Sequence, residues 1–136
     1  MQALDIRWLQ DFATRYAAAW CSHDAASVAA FFSGRGTLTI NGGSPSVGRG
    51  AIAAAAQGFI TTFPDMVVSL DGVEIDGHLA IFRWTLTGTN TGPGLTGNAV
   101  RVSGHERWAF DVDGLIGSSL GQFDEAEYRR QIAVGV

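Results

Sequence analysis

The stretch "RVSGHERWAFDVDGLIGSSLGQFD", Arg101 to Asp124, decides how this chain folds. Two runs of alternating apolar and polar residues flank "DVDG", a turn signature, so the segment reads as an antiparallel β-hairpin. Alternation places Val100, Val102, Glu106, Trp108 and Phe110 on one face, and Arg101, Ser103, His105 and Arg107 on the other. Glu106 is thus the odd residue on an apolar face. Burial there would desolvate it, raise its pKa and make it a usable proton acceptor near neutral pH. Gly104 leaves a second option open, because a bulge at that glycine would shift the register by one and turn His105 inward instead. Either way, one ionisable group of the pair faces the interior. The competing expectation is an ion pair of Glu106 with Arg83 or Arg107 at the sheet surface.

The same period of two extends upstream. "MVVSLDGVEI" and "HLAIFRWTLTGTN" are joined at Asp76-Gly77, and "TGPGLTG" leads on into the hairpin, so four successive strands form an antiparallel meander. Before Pro64 the period is helical. Ile6, Leu9, Ala13, Tyr16 and Trp20 draw one apolar stripe, and Asp24 stands where it would cap a second helix, "AASVAAFF", with Val28, Phe31 and Phe32 inward. Thr37 to Ile40 is expected as a short strand and Asn41 to Gly50 as a loop. "AIAAAAQGFITTF" follows as a third helix, favoured by its alanines and ended by Pro64. Asp124 and Glu127 have capping-box spacing at the start of a last amphipathic segment, "DEAEYRRQI". Helices that precede a long curved sheet imply an α+β fold in which the helices cover one sheet face and enclose a cone, with a pocket at the open end. One domain is expected over residues 1–136, without repeats or low-complexity segments.

Composition narrows the function. Hydrophobic residues make up 46%, charged residues 16%, and the net charge is −4; all nine basic residues are arginines, scattered along the chain. Such a balance gives polyanions no footprint, so nucleic acid is not an expected partner. Cys21 is the only cysteine, which excludes an intrachain disulfide, and His23, His78 and His105 lie in separate segments, so no metal site is expected. The start of the chain has an acid at Asp5 and no apolar run of the signal-peptide kind, and no stretch approaches the roughly 18 apolar residues of a membrane span. A cytoplasmic protein without a membrane partner is the expectation.

Several residues could build a site. Tyr16, Trp20, Phe59, Phe82, Trp84 and Trp108 are either core or the walls of a cavity, with Trp84 and Trp108 the preferred walls and Tyr16 a polar handle. The run "GSSLG", Gly117 to Gly121, sacrifices β-propensity, which leaves room either for a ligand or for close packing of the third helix at Ala51 to Ala56. Ser118, Ser119 and Gln122 could hydrogen-bond a substrate oxygen. No G-x-S-x-G elbow accompanies the serines, so nucleophilic catalysis is not expected. "GRG" at Gly48 to Gly50 and "TGPGLTG" lack the spacing of phosphate cradles. Asp124 is either a helix cap or a catalytic base.

Taken in order, "YAAAWCSHD", "FFSGRGTLTINGG", "VGRGAI", "FPDMVVSL", "IFRWTLTGTNTG" and "VDGLI" resemble the SnoaL-like domains of the nuclear transport factor 2-like superfamily, over nearly the whole chain. That resemblance implies a cone-shaped, cystatin-like α+β barrel and a cofactor-independent enzyme that works by acid/base chemistry. Cyclisation, isomerisation or hydration of an apolar carbonyl-bearing or polycyclic substrate would be the reaction. It also implies a base near the end of the last strand, around Gln122 to Asp124, and a histidine on the preceding strand, which points to His105. Catalytic candidates are therefore Asp124, His105 and Glu106; substrate-binding candidates are Tyr16, Trp20, Phe59, Trp84, Trp108, Ser118 and Gln122. No cofactor is expected, the partner would be a small apolar organic ligand, and the assembly a homodimer. A non-catalytic binding or dimerisation module of the same fold is the alternative.

Overall fold

In the computed structural model, residues 4–92 and 95–136 are described; Pro93 and Gly94 of the "TGPGLTG" connection, and the first three residues, lie outside them. The first helix, α1 (Ile6–Cys21), is capped by the Asp5 carboxylate, which accepts from the Arg7 N–H at 2.7 Å, and its apolar stripe buries Leu9, Phe12, Tyr16 and Trp20. Asp24 caps α2 (Ala25–Ala29), as its position predicts. This helix is shorter than "AASVAAFF" suggests. Phe32 already opens β1 (Phe32–Ile40), a strand longer than the expected Thr37 to Ile40, because the Phe31 carbonyl accepts from the Ile116 N–H and Phe32 pairs with Ile116. Tertiary pairing overrides the helical spacing of the two phenylalanines.

Within the segment expected as pure loop, Ser46–Val47 forms a two-residue β2 against β1. The third helix, α3 (Arg49–Thr62), ends before Pro64. Then come β3 (Val67–Asp76), β4 (Leu79–Thr89), β5 (Ala99–Phe110) and β6 (Ile116–Phe123), and last α4 (Glu125–Val134). The meander forms as its alternation predicts. Sheet order is β2-β1-β6-β5-β4-β3, antiparallel throughout except for β1 beside β6. The architecture is helices on one six-stranded, mainly antiparallel curved sheet.

Register through Gly104 is continuous. Trp84 faces Gly104, Arg83 faces His105 and Phe82 faces Glu106, with no bulge between them. A Cβ on Gly104 would lie 2.6 Å from Trp84 Cζ2 and would collide with the Gln122 carbonyl oxygen, so the glycine is needed for close approach within an unbroken ladder. Glu106 therefore faces inward and His105 outward. The α1 side also protects the free edge of β3, where the Cys21 thiol lies 3.2 Å from the Val68 carbonyl oxygen and 3.3 Å from its N–H nitrogen. Among the described residues, no helix is long and apolar enough to cross a membrane.

Candidate functional site

Glu106 is 7% exposed and sits in the middle of β5, opposite Gly121 on one side and Phe82 on the other. Three side chains donate to it. Ser119 Oγ lies 2.6 Å and Trp108 Nε1 3.0 Å from Oε1, while the Tyr16 hydroxyl lies 3.1 Å from Oε1 and 3.2 Å from Oε2. Each donor comes from a different constraint. Trp108 is two residues along the same face of β5 and faces Ser119 across the β5–β6 ladder, which brings both groups to one oxygen. Tyr16 reaches down from α1, with its ring edge-on to Phe82 at 5.3 Å and to Trp108 at 5.1 Å. Phe82 and Trp108 stack at 5.0 Å. The rotamers of the donors are thus fixed by the core.

Burial pushes the Glu106 pKa up; the hydrogen bonds from Ser119, Trp108 and Tyr16 pull in the other direction without cancelling that shift. Burial, and then the charge of Glu106, push the Tyr16 phenol well above its ordinary value, so the phenol keeps its proton. Oε1 takes two dedicated donors. Oε2 shares only the divided Tyr16 proton and is the atom with acceptor capacity to spare.

A cavity of about 60 Å³ opens beside this carboxylate. Leu38, Ile40 and Val68 supply aliphatic surface, and Trp20, Phe59, Phe82, Trp84 and Phe123 supply aromatic surface; Gly121 completes the lining. Gly121 has no strained backbone. A Cβ there would meet only ordinary contacts, the nearest at 3.7 Å, so the empty space above Glu106 is not demanded by packing. The small-residue run of β6 serves three ends: Gly117 leaves room for the Asp111 carboxylate, Ser119 bonds Glu106, and Gly121 opens the cavity. Helix α3 packs against α2, β1 and β2 instead of against that run.

The sequence candidates separate. Trp20, Phe59, Trp84 and Glu106 line the cavity, and Tyr16 and Trp108 stand behind Glu106 as its donors. His105 and Gln122, a cross-strand pair, lie on the opposite sheet face, as does Ser118, one residue out of phase with Ser119. Partial burial, and then Arg83 and Arg107, lower the His105 pKa, but its ring points away from the carboxylate. Asp124 is exposed and accepts from the Glu127 N–H at 3.0 Å, so it caps α4 and does not line the cavity. Arg83 pairs with Glu74 and Arg107 with Asp76, so neither forms the surface ion pair considered for Glu106. Phe123, Leu38, Ile40 and Val68 are lining residues that sequence reasoning missed. Of the two serines that could bond a substrate oxygen, the register turns Ser119 inward opposite Trp108 and Ser118 outward. Among the described residues, no three His, Cys, Asp or Glu side chains gather as metal ligands would.

The site is thus one carboxylate held in an apolar hollow of a cone that helices and a curved sheet enclose. The chain belongs to the SnoaL-like domain family, whose sequence profile matches residues 13–118. No curated protein matches the sequence. Among solved structures it is similar to a candidate SnoaL-like polyketide cyclase of Jannaschia, with 14% identity, a TM-score of 0.82 and coverage of 100% of this chain and 99% of that one. TsrD of Streptomyces laurentii is similar at 22% identity and TM-score 0.81, with coverage of 97% and 100%. A Catenulispora acidiphila protein with a ketosteroid isomerase-like fold, in complex with trimethylamine, matches at 16% identity and TM-score 0.78 over 90% and 92% of the two chains. These likenesses establish the fold.

Proposed function

We propose that the protein binds a small organic molecule in the cone and moves a proton on it with Glu106, without a cofactor. The single observation that carries this reading is the buried carboxylate on the cavity wall, with Oε2 left short of donors. Glu106 Oε2 takes a proton from a carbon next to a carbonyl, the electron pair delocalises onto the carbonyl oxygen, and the proton returns at the same or another carbon. Isomerisation and intramolecular aldol closure both begin with that step. A carboxylate whose pKa burial has raised is a stronger base than one in water, and it holds the proton long enough to return it. Tyr16, Trp108 and Ser119 hold Oε1 and so aim Oε2.

The cavity volume is well below the roughly 300 to 1,000 Å³ of pockets for drug-sized ligands. The reading is accordingly a one-ring or smaller reacting group, not the polycycle that the resemblance allows. Small-ligand binding is also what the Catenulispora acidiphila relative has in its trimethylamine complex. The test needs no knowledge of the natural substrate. Small cyclic ketones incubated with protein in D2O should exchange their α-protons, followed by NMR, about 10² to 10⁴ faster with wild type than with Glu106→Gln. Equal exchange in the two proteins would remove Glu106 from any catalytic role.

A further inference from the structure

Among the described residues, the charge on Glu106 has no counter-charge. Its three donors, Tyr16, Trp108 and Ser119, are neutral groups, and no arginine lines the cavity. A buried carboxylate left in that state costs stability, which an apolar ligand would do nothing to relieve. Five of the ten residues around the cavity are aromatic, Trp20, Phe59, Phe82, Trp84 and Phe123. Ring faces carry negative charge density and attract a cation, most strongly where water is excluded. Apart from the indole N–H groups of Trp20 and Trp84, the lining also lacks a donor for an oxygen that gains negative charge. A ligand that brings its own positive charge answers all three features at once.

We propose that this cavity is a binding site for a small organic cation, an alkylated amine or ammonium compound, whose charged nitrogen sits among these rings beside the Glu106 carboxylate. The proposal rests on the reading of the cavity as a small-molecule site and names the class of that molecule. A protonated tertiary amine would also donate its N–H to Oε2, the oxygen with only a shared donor. The cavity accommodates an alkylated head group, and the half-buried Ile40, Phe59, Trp84 and Phe123 bring its mouth to the surface, where a tail can leave.

The test uses three probes of nearly one shape: choline, 2-(dimethylamino)ethanol in its protonated form, and the uncharged 3,3-dimethylbutan-1-ol. Titration calorimetry on the full chain should show both cations binding about ten-fold or more tightly than the neutral alcohol. Glu106→Gln should lose that preference while it retains the alcohol, which reports an intact cavity. Should that variant fail to fold, Phe59→Leu keeps apolar volume but removes a ring, and it should narrow the preference. Tighter binding of the neutral alcohol, or unchanged choline affinity in the variants, overturns the proposal and leaves the ketone exchange experiment to judge the proton-transfer reading. Absence of binding by all three overturns both the cation site and the small-molecule cavity.

Discussion

Glu106 shows how one side chain is tuned by its neighbours. Desolvation favours its neutral form, while an indole N–H and two hydroxyls favour its charged form, and desolvation is the larger effect. The sign of the resulting pH dependence follows from linkage. A carboxyl whose folded pKa is raised contributes most stability below its unfolded value, here 4.5, and loses that contribution as pH rises through the folded value. Wild type should therefore lose stability relative to Glu106→Gln as pH climbs above 4.5, seen as a shift of the Tm difference in favour of the variant. A difference that stays flat, or moves the other way, would mean that the carboxylate is not desolvated. The sequence exposed Glu106 through alternation alone. It did not separate Glu106 from His105, because the shape of the ladder at Gly104 depends on the Trp84 ring and the Gln122 carbonyl of neighbouring strands.

At the scale of elements, the helix cap at Asp124 explains a residue that family position makes attractive as a base. Its carboxylate accepts the Glu127 N–H, and Glu127 in turn holds Arg130 through two hydrogen bonds of 2.7 Å, which draw the Glu127 carboxyl down to about 2. Asp124→Ala should cost about 1 kcal/mol of stability, as measured by denaturant unfolding, and leave ketone exchange unchanged. A hundred-fold loss of exchange would return Asp124 to the mechanism. The glycines of β5 and β6 make opposite predictions. Gly104→Ala forces a Cβ into the Trp84 ring and a backbone carbonyl and should destabilise by about 1 to 3 kcal/mol. Gly121→Ala meets no such obstacle and should gain up to about 0.5 to 1 kcal/mol. Equal losses of stability in the two variants would contradict this account of the sheet.

At the scale of the whole molecule, the cavity forms where the face of β6, β5 and β4 curls beneath α1 and α3, and its walls come from seven elements. Gly121→Ala should also weaken binding of any ligand that reaches Glu106, because the new methyl lies 3.8 Å from Glu106 Cγ. Calorimetry with choline checks that outcome, and unchanged affinity would place the ligand elsewhere. The periods of 3.6 and 2, the capping aspartates and the turn residues set most of the elements and the inward face of β5, since each depends on neighbours a few residues away. The end of α2, the parallel pairing of β1 with β6, the phase of Ser119 and the hollow itself depend on contacts between segments far apart in the chain. Glu106 pairs with groups 90 and 13 residues away, at Tyr16 and Ser119. Local pattern says which way a side chain points, whereas only the packed fold decides what waits for it there.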